Sequence, residues 1–174
     1  MRMDRSFYHC VGIFLTTVIF GMALRCGASL WDGLLPELFA PRNTSVWELS
    51  KIGFWPSMAA VLLWHIGRRD RAGLCAYLMV PAAMPVALLF VYWFLHLVCG
   101  ICSAVLDASV WVCLLAVGNF TAMSLRTSGF ARQALAMVCV IVLLWAAVYT
   151  VFSLHPAALP IFTETMCFAS VIGW

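Results

Sequence analysis

The sequence predicts an all-α integral membrane protein: a polytopic bundle of about five transmembrane helices, with the N-terminus inside and the C-terminus outside. Three observations lead there. Hydrophobic residues fill 65% of the 174 positions and charged residues only 10%, where an ordinary soluble domain carries about 25% charged residues. That leaves too little polar surface to coat a water-soluble globule. The charges also fall between long apolar runs rather than among them. A spanning helix needs about 20 mostly apolar residues, so the length suits five such segments with short connections in one membrane domain, 1–174. Finally, arginines concentrate in alternate connections, which is the pattern that sets orientation in a bilayer.

The first segment, 8–25, follows Arg2 and Arg5 and has the outline of a secretory signal. Arg25, however, stands where a small residue would precede cleavage at Cys26, so an uncleaved first span is expected and a lipoprotein is not. A second span, 46–66, begins after an outer loop, 26–45. The apolar stretch from Leu74 to Leu106 is too long for one helix. It is read as a third span, 74–96, with Pro81 and Pro85 expected to bend or interrupt it. A turn around Cys99 to Cys102 and a fourth span, 104–125, complete the stretch. A fifth span, 132–154, leads to an outer tail, 155–174. Arg2, Arg5, Arg68, Arg69, Arg71, Arg126 and Arg132 fall on one side of this arrangement, while only Arg25, Arg42 and Lys51 fall on the other. The arginine-rich side is assigned to the cytoplasm.

Trp31, Trp47, Trp93 and Trp174 fall near outer helix ends, where amphipathic rings favour the headgroup zone. His9 and His65 are expected at the inner interface. Gly12 with Thr16, and Gly118 with Ala122, place small residues on one helical face, suited to close helix approach in lipid. No internal repeat of the inverted transporter kind is visible. The net charge of +3, without a basic patch interleaved with aromatics, argues against a nucleic-acid partner.

The outer loop holds the most informative residues. Ser45-Val46-Trp47-Glu48 matches the capping box that starts a helix, which by itself accounts for Ser45 and Glu48. The functional alternative has Asn43, Glu48 and Lys51 lining an outward polar pocket. Asn43-Thr44-Ser45 also matches the glycosylation sequon, which has meaning only in a eukaryotic secretory membrane. The run from Phe39 to Glu48 followed by Lys51 resembles the signature loop of a family of small uncharacterised bacterial membrane proteins, a domain of unknown function. The likeness extends thinly through Asp107, Gly118 and the tail with Pro156, Pro160 and Glu164. It implies a bacterial cytoplasmic membrane and brings no activity. Leu49 and Ala158 stand where that family tends to place histidines, which argues against a histidine-based metal or acid/base site, and no metal is expected.

Asp107 lies about one turn into the fourth helix, and an acid at membrane depth defaults to a functional hypothesis with a partner to be named. His96, Lys51 and Arg42 are the candidates. The plainer reading is an interfacial acid favoured by the helix dipole. Packing of the outer loop, the turn and the tail against one another would gather Asn43, Trp47, Glu48, Lys51, Asp107, His155 and Glu164 into one polar binding cluster. Such a cluster suits a cation or small polar solute, giving a transport-related or solute-binding role as the first reading.

A second reading is enzymatic. Cys99-Gly100-Ile101-Cys102 is a C-x-x-C, with Cys26 and Cys167 as a further outward pair, the layout of a thiol oxidoreductase that passes electrons to a quinone. Against it, Cys10, Cys75, Cys113 and Cys139 show cysteine used freely as a small hydrophobe inside spans. The chain also lacks H-E-x-x-H, G-x-S-x-G and Gly-rich phosphate motifs, and an enzyme is the less favoured expectation. A third reading is an accessory subunit that meets a membrane partner, or a second copy of itself, through its small-residue faces.

Overall fold

The computed structural model describes residues 5–27, 33, 38–41, 45–101 and 103–155, save the side chains of 5, 97 and 132. These form helices α1 (Arg5–Gly27), α2 (Val46–His65), α3 (Arg71–Trp93), α4 (Ala104–Leu125), the short α5 (Gly129–Gln133) and α6 (Leu135–Leu154). α3 runs directly into a π-helical turn, Phe94–Val98. No strand occurs among the described residues. Four segments are long and apolar enough to cross a membrane: Ser6–Gly27, Arg71–His96, Ala104–Leu125 and Leu135–Leu154. α2 matches them with 20 residues, but it carries Glu48, Lys51 and His65.

Local chemistry sets the helix starts. The hydroxyls of Ser45, Ser103 and Ser128 and the carboxylate of Asp70 each accept a backbone N–H from the first turn of the helix they precede. Each cap satisfies one of the amides that a helix start leaves without an intrahelical partner. Pro81 and Pro85 lie inside α3 without interrupting it. Beside them the Trp145 indole of α6 donates to the Ala82 carbonyl at 3.1 Å and ties α6 to this stretch of α3. After the π turn, Gly100 adopts φ +64°, a conformation that costs glycine no Cβ clash. There the Ile101 N–H reaches back to the Leu95 carbonyl at 3.0 Å and reverses the chain into α4.

α3 is the hub: it packs against α2, α4 and α6, while α1 lies against α2 and α4. Glycines let these helices meet. A Cβ at Gly12 would collide with the Trp64 indole, one at Gly21 with Trp111, and one at Gly53 with Leu88. Trp64 Nε1 also donates to Thr16 Oγ1 at 2.9 Å, so the Gly12–Thr16 face receives the ring and binds its N–H. Gly118 faces Val80, and Ala122 is buried. In lipid such close contact, rather than expulsion of water, is what draws helices together. α6 stands at the perimeter, exposing Val140, Leu143, Leu144 and Val151, as α1 exposes Leu15, Ile19 and Met22.

At the end of the bundle where α1 begins, Asp70 Oδ2 pairs with Arg126 Nη2 at 2.6 Å, and Arg126 Nη1 donates to Ser6 Oγ at 3.3 Å. Partial burial pushes the Asp70 carboxyl upward. The Gly73 amide and the Arg126 guanidinium outweigh it and hold the group below its ordinary 3.8. His9 and His65 are buried between helices at this end, where His9 meets the rings of His65 and Tyr77 edge-on and His65 lies tilted against Tyr77.

Candidate functional site

Two buried charge pairs occupy the opposite end of the bundle. On α2, Lys51 Nζ lies 2.7 Å from Glu48 Oε1 and 2.8 Å from Oε2. The three-residue spacing puts the two side chains on one helical face, and Lys51 is 1% exposed. One residue before Lys51, Ser50 Oγ donates to the Trp47 carbonyl at 2.6 Å, and it lies 2.7 Å from the Tyr149 hydroxyl of α6. With the serine proton committed to the carbonyl, the tyrosine must be the donor. This gives a relay from Tyr149 through Ser50 to the Trp47 backbone. Tyr149 is fully buried.

Trp47 corrects one expectation. It is 4% exposed and packs on Tyr149 and Phe152 of α6, so its ring is core rather than a headgroup anchor, whereas Trp93 is 44% exposed. The reason is α6, whose C-terminal half closes over the start of α2.

The second pair joins α3 to α4. His96 Nε2 lies 2.9 Å from Asp107 Oδ1, with both residues buried. Tyr92, one turn before His96, donates its hydroxyl to the Asp107 carbonyl at 3.0 Å. The π turn supplies His96. The wider winding re-aims side chains relative to an α-helix and recurs at functional sites for that reason. Of the three partners open to Asp107, the structure thus provides His96, while Lys51 is with Glu48. Asp107 and Tyr92 also line a cavity of about 100 Å³ between α1, α2, α3 and α4, together with Gly21, Arg25, Leu49 and Trp111. Both signs of charge therefore meet an otherwise apolar wall.

Among the described residues of the anticipated cluster, Glu48 pairs with Lys51 beside Tyr149, and Asp107 pairs with His96 at the cavity. His155 is exposed at the C-terminal cap of α6. Asn43, Glu164, Trp31 and Trp174 lie outside the described residues, as do Arg42, Cys102 and Cys167. Cys99 is an exposed free thiol capping the carboxyl end of the π turn, and Ser103 rather than a cysteine caps α4. Among the described residues no group of three or more His, Cys, Asp or Glu is placed to hold a metal ion. Sequence reasoning missed Ser50, Tyr149, Arg25 and Trp111. The Ser50–Tyr149 bond joins residues 99 positions apart and leaves no local trace, whereas the four-residue spacing of Tyr92 and His96 was a readable sign of one shared face. No protein family, curated protein or solved structure matches the chain.

Proposed function

We propose that the protein is a five-span membrane protein, N-terminus inside and C-terminus outside, that binds a small polar solute or cation at the outward Asp107 cavity as part of a transport-related role. The observation that carries this reading is the cavity itself. Asp107, held by His96, and Arg25 line one partly open cavity in an apolar bundle, and ionisable groups at membrane depth are expensive unless they serve a purpose. The volume suits a cation or a small zwitterion rather than a large organic ligand. α2 acts as the fifth span because its two charges neutralise each other within the bundle. The clustering of Arg68, Arg69, Arg71 and Arg126 at the other end supports the orientation. The likeness of the Phe39–Lys51 loop to bacterial membrane proteins supports a bacterial cytoplasmic membrane.

The test is ligand-dependent thermal stability of the purified protein in detergent with sodium, potassium, methylammonium and glycine as probes. A probe at a hundred times its Kd stabilises the folded state by about 2.7 kcal/mol. The expected result is that at least one probe raises the wild-type Tm and that Asp107→Asn removes the increment. Indifference of the wild type to every probe, or an unchanged increment in the variant, overturns the reading. Labelling Cys99 in intact cells with an impermeant maleimide checks the orientation, since the thiol must react from outside.

A further inference from the structure

At the end of the bundle away from the Asp107 cavity, α1 and α2 bring two imidazoles together. The His9 and His65 ring centroids are 4.9 Å apart, and each ring also contacts Tyr77 of α3, at 5.3 and 5.8 Å. The backbone determines which nitrogen of each ring is left available. His65 Nδ1 lies 2.9 Å from the Val61 carbonyl, and His9 Nε2 lies a long 3.5 Å from the Trp64 carbonyl. A carbonyl only accepts, so these nitrogens carry the protons of the neutral rings. His9 Nδ1 and His65 Nε2 are therefore the lone-pair nitrogens, and both are buried without a hydrogen-bond partner. Unsatisfied buried acceptors call for a missing donor. A proton is a ligand that two imidazoles can take without a third side chain, and the Tyr77 hydroxyl beside both rings is likewise buried without a partner.

We propose that His9 and His65 form a single proton-binding site, taking one proton from the aqueous phase at this end of the bundle onto either His9 Nδ1 or His65 Nε2, the two rings lying too close to be charged together. The gain is one positive charge on the pair, and no bond other than N–H is made. The groups around it come from every neighbouring element. Cys10 adjoins His9 on α1, Arg68 follows α2, Tyr77 and Asp70 belong to α3, and Arg126 caps α4. Asp70 is the sole acid of this set, and it is bound to Arg126. The charge of the loaded pair is thus shared within the pair itself. Interacting sites of this kind titrate as a unit rather than as two independent residues. The site lies outside the cavity proposed for solute and stands or falls separately from it.

The experiment is a pH titration of ring-nitrogen NMR signals in the full-length, ¹⁵N-histidine-labelled protein in bicelles, with the signals assigned by single His→Gln variants. At high pH His65 should carry its proton on Nδ1 and His9 on Nε2. As pH falls, both rings should change across one shared midpoint with uptake of one proton in total. His65→Gln should move the His9 midpoint by at least about one pH unit, the size of a strong site–site coupling. Uptake of two protons in separate steps, an unmoved His9 midpoint in the variant, or no protonation of either ring above pH 4.5 overturns the proposal. The wild-type proton count decides it even if the variant does not fold.

Discussion

Replacing Lys51 by Met removes a cation that is almost wholly enclosed and takes its ion pair from the Glu48 carboxylate, which has 12% of its side chain exposed. Removing one member of a buried pair typically costs about 3–5 kcal/mol, most of it the penalty of the stranded charge. Removing both is far cheaper, because the desolvation cost of two ions disappears together with their attraction. The pair Lys51→Met and Glu48→Gln therefore forms a diagnostic cycle. Lys51→Met alone should destabilise the protein by about 3–5 kcal/mol, and adding Glu48→Gln should recover at least about 2 kcal/mol of it, a coupling well above the roughly 0.5 kcal/mol scatter of independent sites. Unfolding by sodium dodecyl sulfate from mixed micelles, followed by tryptophan fluorescence, measures all the corners on one scale. Additive single-variant costs would refute the reasoning, since two side chains that do not stabilise each other have no business being buried at this distance.

Tyr149→Phe deletes the donor of the Tyr149–Ser50 relay and should cost about 0.5–1.5 kcal/mol; in a Ser50→Ala background the same change should cost much less, read in the same assay. Gly12→Ala places a methyl where the Trp64 indole lies and should destabilise by about 1–3 kcal/mol, with a shift in tryptophan emission as the ring leaves Thr16. Asp70 has a lowered folded-state pKa, so its contribution is fully present above the unfolded value of 3.8 and is lost as pH falls through the still lower folded value. The stability gap between the wild type and Asp70→Asn should therefore hold constant from neutral pH down to about pH 5 and close below pH 4. Thermal unfolding scans across that range check it.

How far the sequence disclosed this arrangement depends on the range of the forces involved. The spans were legible because the bilayer acts on each segment separately: the apolar runs closed by Arg25, Arg126 and Ser103 became α1 and α4 within a few residues. Pro81 and Pro85 are expected to bend or interrupt the third span, and α3 runs through both without a break. The fifth span was placed at 132, whereas Ser128 starts the short α5 first and α6 begins at Leu135. In the site, Asp107 and His96 were readable as partners because a tight turn keeps them close in the chain. Lys51 was open to Asp107 as well, and only the helix face it shares with Glu48 decides between them. The inward rotation of Trp47 and the meeting of His9 with His65 depend on how separate helices pack, for which a single sequence carries no periodic signal.

The charges on α2 bear on how the protein comes to be assembled. An isolated α2 would have to carry Glu48 and Lys51 into hydrocarbon, and acids and bases near a helix centre each add about 2.5–3.5 kcal/mol to the cost of insertion, less near its ends. Its neighbours α1 and α3 meet no such obstacle. On the five-span reading, α2 is retained in the membrane by the helices on either side of it in the chain. Biogenesis then has an order: α1 and α3 anchor first, and α2 settles between them once Trp64 can find Gly12 and Leu88 can find Gly53.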